Sequence, residues 1–185
     1  MDTPLDELLD RCVAYHGHLC MGQALGVRLA VKGMDLIATR DPKQMIVFIE
    51  IDRCIADAIQ VVTGTRIGRR SAKLRDVGKM AATFLNTATG LAWRVNVASV
   101  DLPAKHGEEA CRAALRIPDE ELLAWREVRV RLEPMEMPGK PLRKVPCARC
   151  GEKVFDGKDV ESAEGPLCRS CATGRYWSEP GTERS

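Results

Sequence analysis

The chain carries no large excess of positive charge: 28 lysines and arginines face 26 aspartates and glutamates, for a formal net charge of +2. A surface that tracks a phosphate backbone is normally basic, so this balance argues against nucleic acid as the partner. No apolar run is long enough to cross a bilayer, and a membrane role is not expected. The opening residues, MDTPLDELLD, are acidic and amphipathic and lack the basic and apolar regions of a secretion signal. A cytoplasmic location follows as the expectation, and disulfides are rare there. Histidine is also scarce, at three residues. Cysteine is not: there are eight, which in a reducing compartment point to metal sites, catalysis or packing. A length of 185 residues suits one domain with a buried core and a small appendage.

Four cysteines fall in CARCGEKVFDGKDVESAEGPLCRSC. Cys147 and Cys150 form one CxxC, Cys168 and Cys171 another, and seventeen residues lie between the pairs. This is the spacing of a tetrahedral four-cysteine zinc site, in which each CxxC bends to aim two sulfurs at one ion. A module this small cannot fold on its apolar core alone, so the metal should supply most of its folding free energy. The preceding PMEMPGKPLRKVP, rich in proline, reads as a semi-rigid linker. We therefore place a core domain at residues 1–138 and the linker with a zinc-binding domain at 139–185. From Gly139 to the end, nine basic residues face seven acidic ones, and four thiolates on one zinc add negative charge. A structural or protein-contact role fits this module better than DNA binding.

The other four cysteines divide in two. Cys12 lies on the stripe Leu5, Leu8, Leu9, Cys12, Val13 of an amphipathic helix, and Cys111 on a similar stripe with Ala114 and Leu115. Both read as packing residues. Cys20 closes the string YHGHLC, beside two of the three histidines. In an extended segment His16, His18 and Cys20 would project to one side. In a helix only His16 and Cys20 would meet. Cys54 follows MIVFIEIDR, a buried-strand pattern, and opens CIADAIQVVTG, a helix closed by Gly64. A helix N-terminus lowers a thiol pKa, so a thiolate is expected at Cys54, with Asp57 on the same face as a ligand or a supporting group. The following TGTRIGRRSAKLRD places Thr63, Thr65, Arg66 and Arg69 among glycines and further basic residues, a pattern suited to an anionic ligand.

Elsewhere KMAATFLN and AWRVNVAS read as adjacent strands joined by a turn at Gly90. Gln23 to Lys32 and Ala104 to Ile117 read as helices, and Arg126 to Pro134 as a half-buried strand. Gly26 and Ala24 permit close helix packing. His106 is expected to be exposed and remote from the other candidates.

The blocks HGHLCMGQALGVRLA, EIDRCIADAIQVVTGTRIG and DVGKMAATF together resemble the FmdE family, named for formylmethanofuran dehydrogenase. The resemblance covers most of residues 10 to 85. It implies an α+β fold, with a mixed sheet-and-helix core domain to which the small C-terminal zinc ribbon is appended. It also implies a homodimer and a metal near the histidine–cysteine motif. His16, His18 and Cys20 match the first family motif; Cys54, Asp57, Gln60, Thr63 and Gly64 match the second. The family pattern has proline after the first cysteine, where this chain has Met21.

Two functions follow as expectations. In one, the protein is a metal-dependent enzyme or accessory subunit acting on a small anionic substrate. His16, His18, Cys20 and Cys54 would supply ligands for zinc or another divalent transition metal, with Cys54 and Asp57 as candidate catalytic groups. Gln60, Thr63, Thr65, Arg66 and Arg69 would contact the substrate. In the other, the chain is a non-catalytic module that delivers metal or docks, through its zinc ribbon, on a partner such as a molybdenum or tungsten enzyme.

Overall fold

The computed structural model describes residues 3–98 and 107–180. The apolar stripe at the N-terminus forms α1 (Leu5–His16), which buries Leu8, Leu9 and Cys12. Gly17 ends it in the left-handed region, φ 95°, and its N–H returns to the Val13 carbonyl. Cys20 caps the next helix, α2 (Met21–Leu36), from an extended conformation. This helix begins two residues earlier and ends four later than its pattern suggested, because it is buried over most of its length rather than on one face.

The run MIVFI forms β1 (Met45–Ile49), followed by α3 (Cys54–Thr63) and β2 (Ala72–Leu74). Gly64 closes α3 at φ 71°, as expected of a glycine at that place. β1 and β2 are parallel, with Val47 opposite Ala72, so β1, α3 and β2 make one crossover unit. β3 (Ala81–Asn86) and β4 (Ala92–Val97) form the expected antiparallel pair around Gly90. After α4 (Glu108–Ala114) and the short α5 (Asp119–Leu122), β5 (Leu123–Glu127) completes a mixed sheet of order β2-β1-β3-β4-β5.

One sequence expectation needs correction here, and part of another lies outside the described residues. The strand placed at Arg126 to Pro134 instead ends at Glu127, because its partner β4 runs out: Trp93 pairs with Glu127, and only the Val128 N–H reaches beyond, to Ala92. The helix placed at Ala104 to Ile117 is described only from Glu108 to Ala114; residues 104–106, with His106, lie outside the described residues.

The core has two layers. Leu25, Leu29, Ile55 and Ile59 of α2 and α3 pack on Met45, Val47, Ile49, Phe84 and Val95 of the sheet. On the far side of the same helices lie Leu8, Leu9 and Cys12 from α1 and Cys111 and Ala114 from α4. Both cysteines read as packing residues are buried there. α2 can sit between these layers because glycines stand where it meets its neighbours. A Cβ added at Gly22 would stand 2.9 Å from the Cys54 Cβ, one at Gly26 2.5 Å from the Ala58 Cβ, and one at Gly33 2.3 Å from the Phe84 ring. Backbone thus meets side chain directly along three turns. Arg28, buried on the same helix, donates to the Ala114 and Leu115 carbonyls and to Asp119, closing the end of α4. Burial alone would raise the Asp119 pKa; the Arg28 and Lys32 partners outweigh it and hold the carboxyl below its usual value.

Contacts divide the chain into two compact units, Met1–Arg131 and Leu132–Ser185. The proline-rich stretch therefore belongs to the second unit. That unit contains the hairpin β6 (Lys144–Pro146) and β7 (Lys153–Phe155), a bridge between Val160 and Leu167, and the short α6 (Arg169–Thr173). Among its described residues only Cys147 and Leu167 are buried apolar groups, far too few to make a core. The fold is α+β, with four cysteines at zinc-ribbon spacing in the appended unit. No described helix is long and apolar enough to cross a membrane.

Candidate metal centre

Three helix ends converge in the first unit. His16 is the last residue of α1, Cys20 the cap of α2 and Cys54 the first residue of α3. The motif between His16 and Cys20 is neither an extended strand nor a continuous helix. It is a tight corner made by Gly17, which turns the histidine at one helix end toward the cysteine at the next helix start. One ligand atom from each of His16, Cys20 and Cys54 lies within 4.8 Å of the others. The thiols come this close because Gly22 has no side chain to keep Cys54 away.

The histidine is oriented for donation. Its Nδ1 donates to Asp57 Oδ2 at 2.8 Å, which leaves the lone pair of the neutral ring on Nε2. Nε2 is buried and has no hydrogen-bond partner among the described residues. A buried ring nitrogen left in that state loses its hydration for nothing, unless a cation takes the lone pair. A carboxylate behind a histidine, fixing its tautomer and raising its basicity, is the usual support of a metal-binding imidazole. Two sulfurs and one imidazole suit zinc and its softer neighbours. The residues present therefore fit a metal ion.

The sequence expectations divide at this point. His16, Cys20 and Cys54 are brought together, and Asp57 supports His16 rather than joining the group. His18 is exposed and outside the group; its ring lies 4.5 Å from that of His16, centroid to centroid. The expected thiolate at Cys54 is not what the metal-free centre favours. Burial pushes the Cys54 thiol up, the adjacent Cys20 thiol adds to it, and the helix N-terminus does not compensate.

A cleft of about 450 Å³ opens beside the centre, lined by His16, Cys54, Asp57 and Gln60 and by the apolar Ile49, Ile67 and Leu74. It lies at the carboxyl end of β1, where the crossover leaves the sheet, a usual place for ligands in parallel pairs. Of the residues expected to hold an anion, only Gln60 lines it. Thr63 donates to the Ile59 carbonyl and lies 2.8 Å from the Thr65 hydroxyl, both buried. Arg66 donates to the Gln60 and Thr65 carbonyls, and these three residues close the end of α3. Arg69 is exposed and does not line the cleft. The cation that does line it is Arg53, beside Asp52. In the sequence the basic run after α3 is the stronger signal, whereas the cation at the cleft stands in the DRC that opens the helix.

In the second unit Cys147, Cys150, Cys168 and Cys171 also bring their sulfurs within 4.8 Å, a group that could hold a metal ion. The Cys168 N–H donates to the Cys147 sulfur at 3.2 Å and the Cys171 N–H to the Cys168 sulfur at 3.4 Å. N–H groups of Cys150 and Cys168 lower the Cys147 pKa to about 6, while the crowding thiols, Cys168 first, push Cys171 up to about 12. Four sulfurs so close ionise together only around a cation.

Comparison with known proteins agrees with this architecture. A crystal structure of a tungsten formylmethanofuran dehydrogenase FmdE-like protein from Syntrophus aciditrophicus superposes with a TM-score of 0.60, covering 96% of each chain at 21% identity. A likeness at that identity shows a shared fold. A protein of Archaeoglobus fulgidus described as a probable S-adenosyl-L-methionine-binding protein is 26% identical over an alignment 211 positions long that covers 97% of this chain. This chain spans 56% of that relative's length. The family model for FmdE, molybdenum formylmethanofuran dehydrogenase operon, matches residues 15–131, which runs from the histidine motif to the last residue of the first unit. The chain belongs to the FmdE family.

Proposed function

We propose that this FmdE-family protein holds a metal ion, zinc or a related transition metal, on His16 Nε2 and the sulfurs of Cys20 and Cys54, and uses it to bind a small anionic substrate in the adjoining cleft. The observation that carries the reading is the buried Nε2, without a partner among the described residues, of a histidine whose other nitrogen is held by Asp57. Three protein donors leave a position for substrate, and such an ion polarises a carbonyl or activates water. Asp57 keeps the imidazole in the donating tautomer. Arg53 offers a positive charge to the anionic part of a ligand, and Ile49, Ile67 and Leu74 offer apolar surface to the rest of it. The four cysteines of the second unit hold a structural zinc. Eight free thiols suit a reducing, cytoplasmic setting, and a homodimer remains part of the proposal.

Elemental analysis of the full chain, purified without added metal or a histidine tag, tests this directly. About two metals per chain are expected in the wild type, and about one in Cys54→Ala and in His16→Gln. One metal in all three proteins would overturn the N-terminal centre.

A second reading rests on the second unit, which leaves Leu142, Tyr176 and Trp177 exposed. Large apolar groups on a small metal-held module suit docking on a protein partner, such as a molybdenum or tungsten enzyme. Removing residues 132–185 should then abolish capture of that enzyme while leaving the metal of the first unit in place. Capture by the truncated chain would exclude docking through this unit.

A further inference from the structure

One buried amide beside the thiol pair has half of its hydrogen bonding unmet. Gln23, three residues after Cys20, is fully buried. Its Nε2 donates to the Cys54 carbonyl oxygen at 2.6 Å, and its own backbone N–H donates to the Cys20 carbonyl at 3.0 Å. Its Oε1 has no partner among the described residues. Within the same set only one other buried side-chain nitrogen or oxygen is in that condition, and it is His16 Nε2. Both stand beside Cys54: Gln23 donates to its carbonyl, and a ring nitrogen of His16 lies within 4.8 Å of its sulfur.

Packing does not account for an amide at this place. Methionine would fill nearly the same volume, and an orphaned amide oxygen costs stability that methionine would not. Nor does the Cys54 carbonyl need a second donor, since it begins a helix whose own N–H groups can reach it. What the amide adds is a rigid link from the start of α2 to the start of α3, at the level of the two sulfurs. Buried groups in that position around a centre usually act by fixing where its ligands stand.

We propose that Gln23 is a positioning residue of the His16–Cys20–Cys54 centre. It sets the separation of the two thiols by bracing the residue that carries one against the helix capped by the other. This rests on the metal-binding reading above.

The test withdraws zinc from the full-length protein by graded competition with a chelator, taking as the N-terminal phase the one missing in Cys54→Ala. Gln23→Met keeps the volume and removes the link. Gln23→Leu also removes the donor that faces the Cys54 carbonyl, with a smaller apolar side chain that leaves no buried polar atom. Both variants are expected to bind zinc at the N-terminal site about 10- to 100-fold more weakly, with the second-unit phase unmoved. The thermal midpoint of the metal-free Gln23→Met protein should not fall, because an unpaired polar atom has been removed. If Gln23→Met does not fold, Gln23→Leu decides. Zinc affinity within about threefold of wild type in the folded variants, well short of a supporting-group effect, would overturn the proposal. So would a loss of metal-free stability matching the loss of affinity, since the amide would then serve the fold. A wild type with no N-terminal phase removes the metal reading and this inference together; a wild-type phase that the variants retain removes this inference alone.

Discussion

His16 and Asp57 stand 41 residues apart in the chain and 2.8 Å apart in the fold, the imidazole Nδ1 on the carboxylate Oδ2. The pair joins the end of α1 to the first turn of α3, and it is the reason the second ring nitrogen is available. Asp57→Asn keeps an oxygen that can accept from Nδ1 but removes the charge that strengthens the imidazole as a donor. Metal affinity at the N-terminal centre should fall about 10- to 100-fold, read by chelator competition. The Asp57 side chain is 37% exposed, so the fold itself should lose less than about 1 kcal/mol. Equal metal affinity in the variant would mean that the carboxylate is a surface partner and nothing more.

Close approach of α2 to α3 depends on Gly26, whose added Cβ would meet the Ala58 Cβ at 2.5 Å. Gly26→Ala should destabilise the first unit by about 1–3 kcal/mol through overpacking. That outweighs the roughly 1 kcal/mol that alanine gains over glycine within a helix. Adding Ala58→Gly to the same chain should restore part of the loss, since it removes the atom that is struck. Urea unfolding of the two variants measures both effects, and a stabilised single variant would show that the helices part easily.

Alkaline stability should report on Cys12. Burial, chiefly, raises its thiol from 9.0 to about 12 in the folded chain. Folding therefore favours the protonated thiol, and this contribution is intact below about pH 9, where the unfolded thiol is protonated too. Between about pH 9 and 12 the unfolded state loses its proton first, so stability falls as pH rises. Urea midpoints across that range should drop less steeply in Cys12→Ala than in wild type. Parallel slopes would mean that other groups govern the alkaline limb.

The second unit should respond to metal removal as a whole. With only Cys147 and Leu167 buried among its described apolar residues, it has little to hold it once the four sulfurs lose their ion. A strong chelator at neutral pH should collapse amide-exchange protection in β6, β7 and α6 while the sheet of the first unit keeps its protection. Retained protection in the hairpin would mean that the unit folds without metal.

Much of this was legible in the sequence, for reasons that differ by element. α3 was plain because a buried strand precedes it and a glycine follows it. The four-cysteine group was plain because its spacing is set by the ion and not by the rest of the fold. Cys12 and Cys111 were assigned correctly by helical period alone. The donor set of the first unit was only partly legible. Spacing could nominate His16 and His18 equally, and what separates them is that α1 runs on to His16, so Gly17 turns the chain and leaves His18 outside. The partnership with Asp57 spans too much chain to be read from any local pattern. Thr63, Thr65 and Arg66 misled because hydroxyls and guanidinium groups that could hold an anion serve equally well to satisfy the carbonyls at a helix end. Gln23 carried no signal at all, since one amide in an apolar helix acquires meaning only when its partners are known.

The donors of the first unit and their support come from one short stretch of chain, His16 to Asp57, so the chemistry is encoded far from the segment where the second unit is attached. Sequence added after Arg131 need not interrupt any residue of the centre. A gene that gains, loses or exchanges a terminal module therefore keeps every residue of the candidate centre while changing what that centre is attached to.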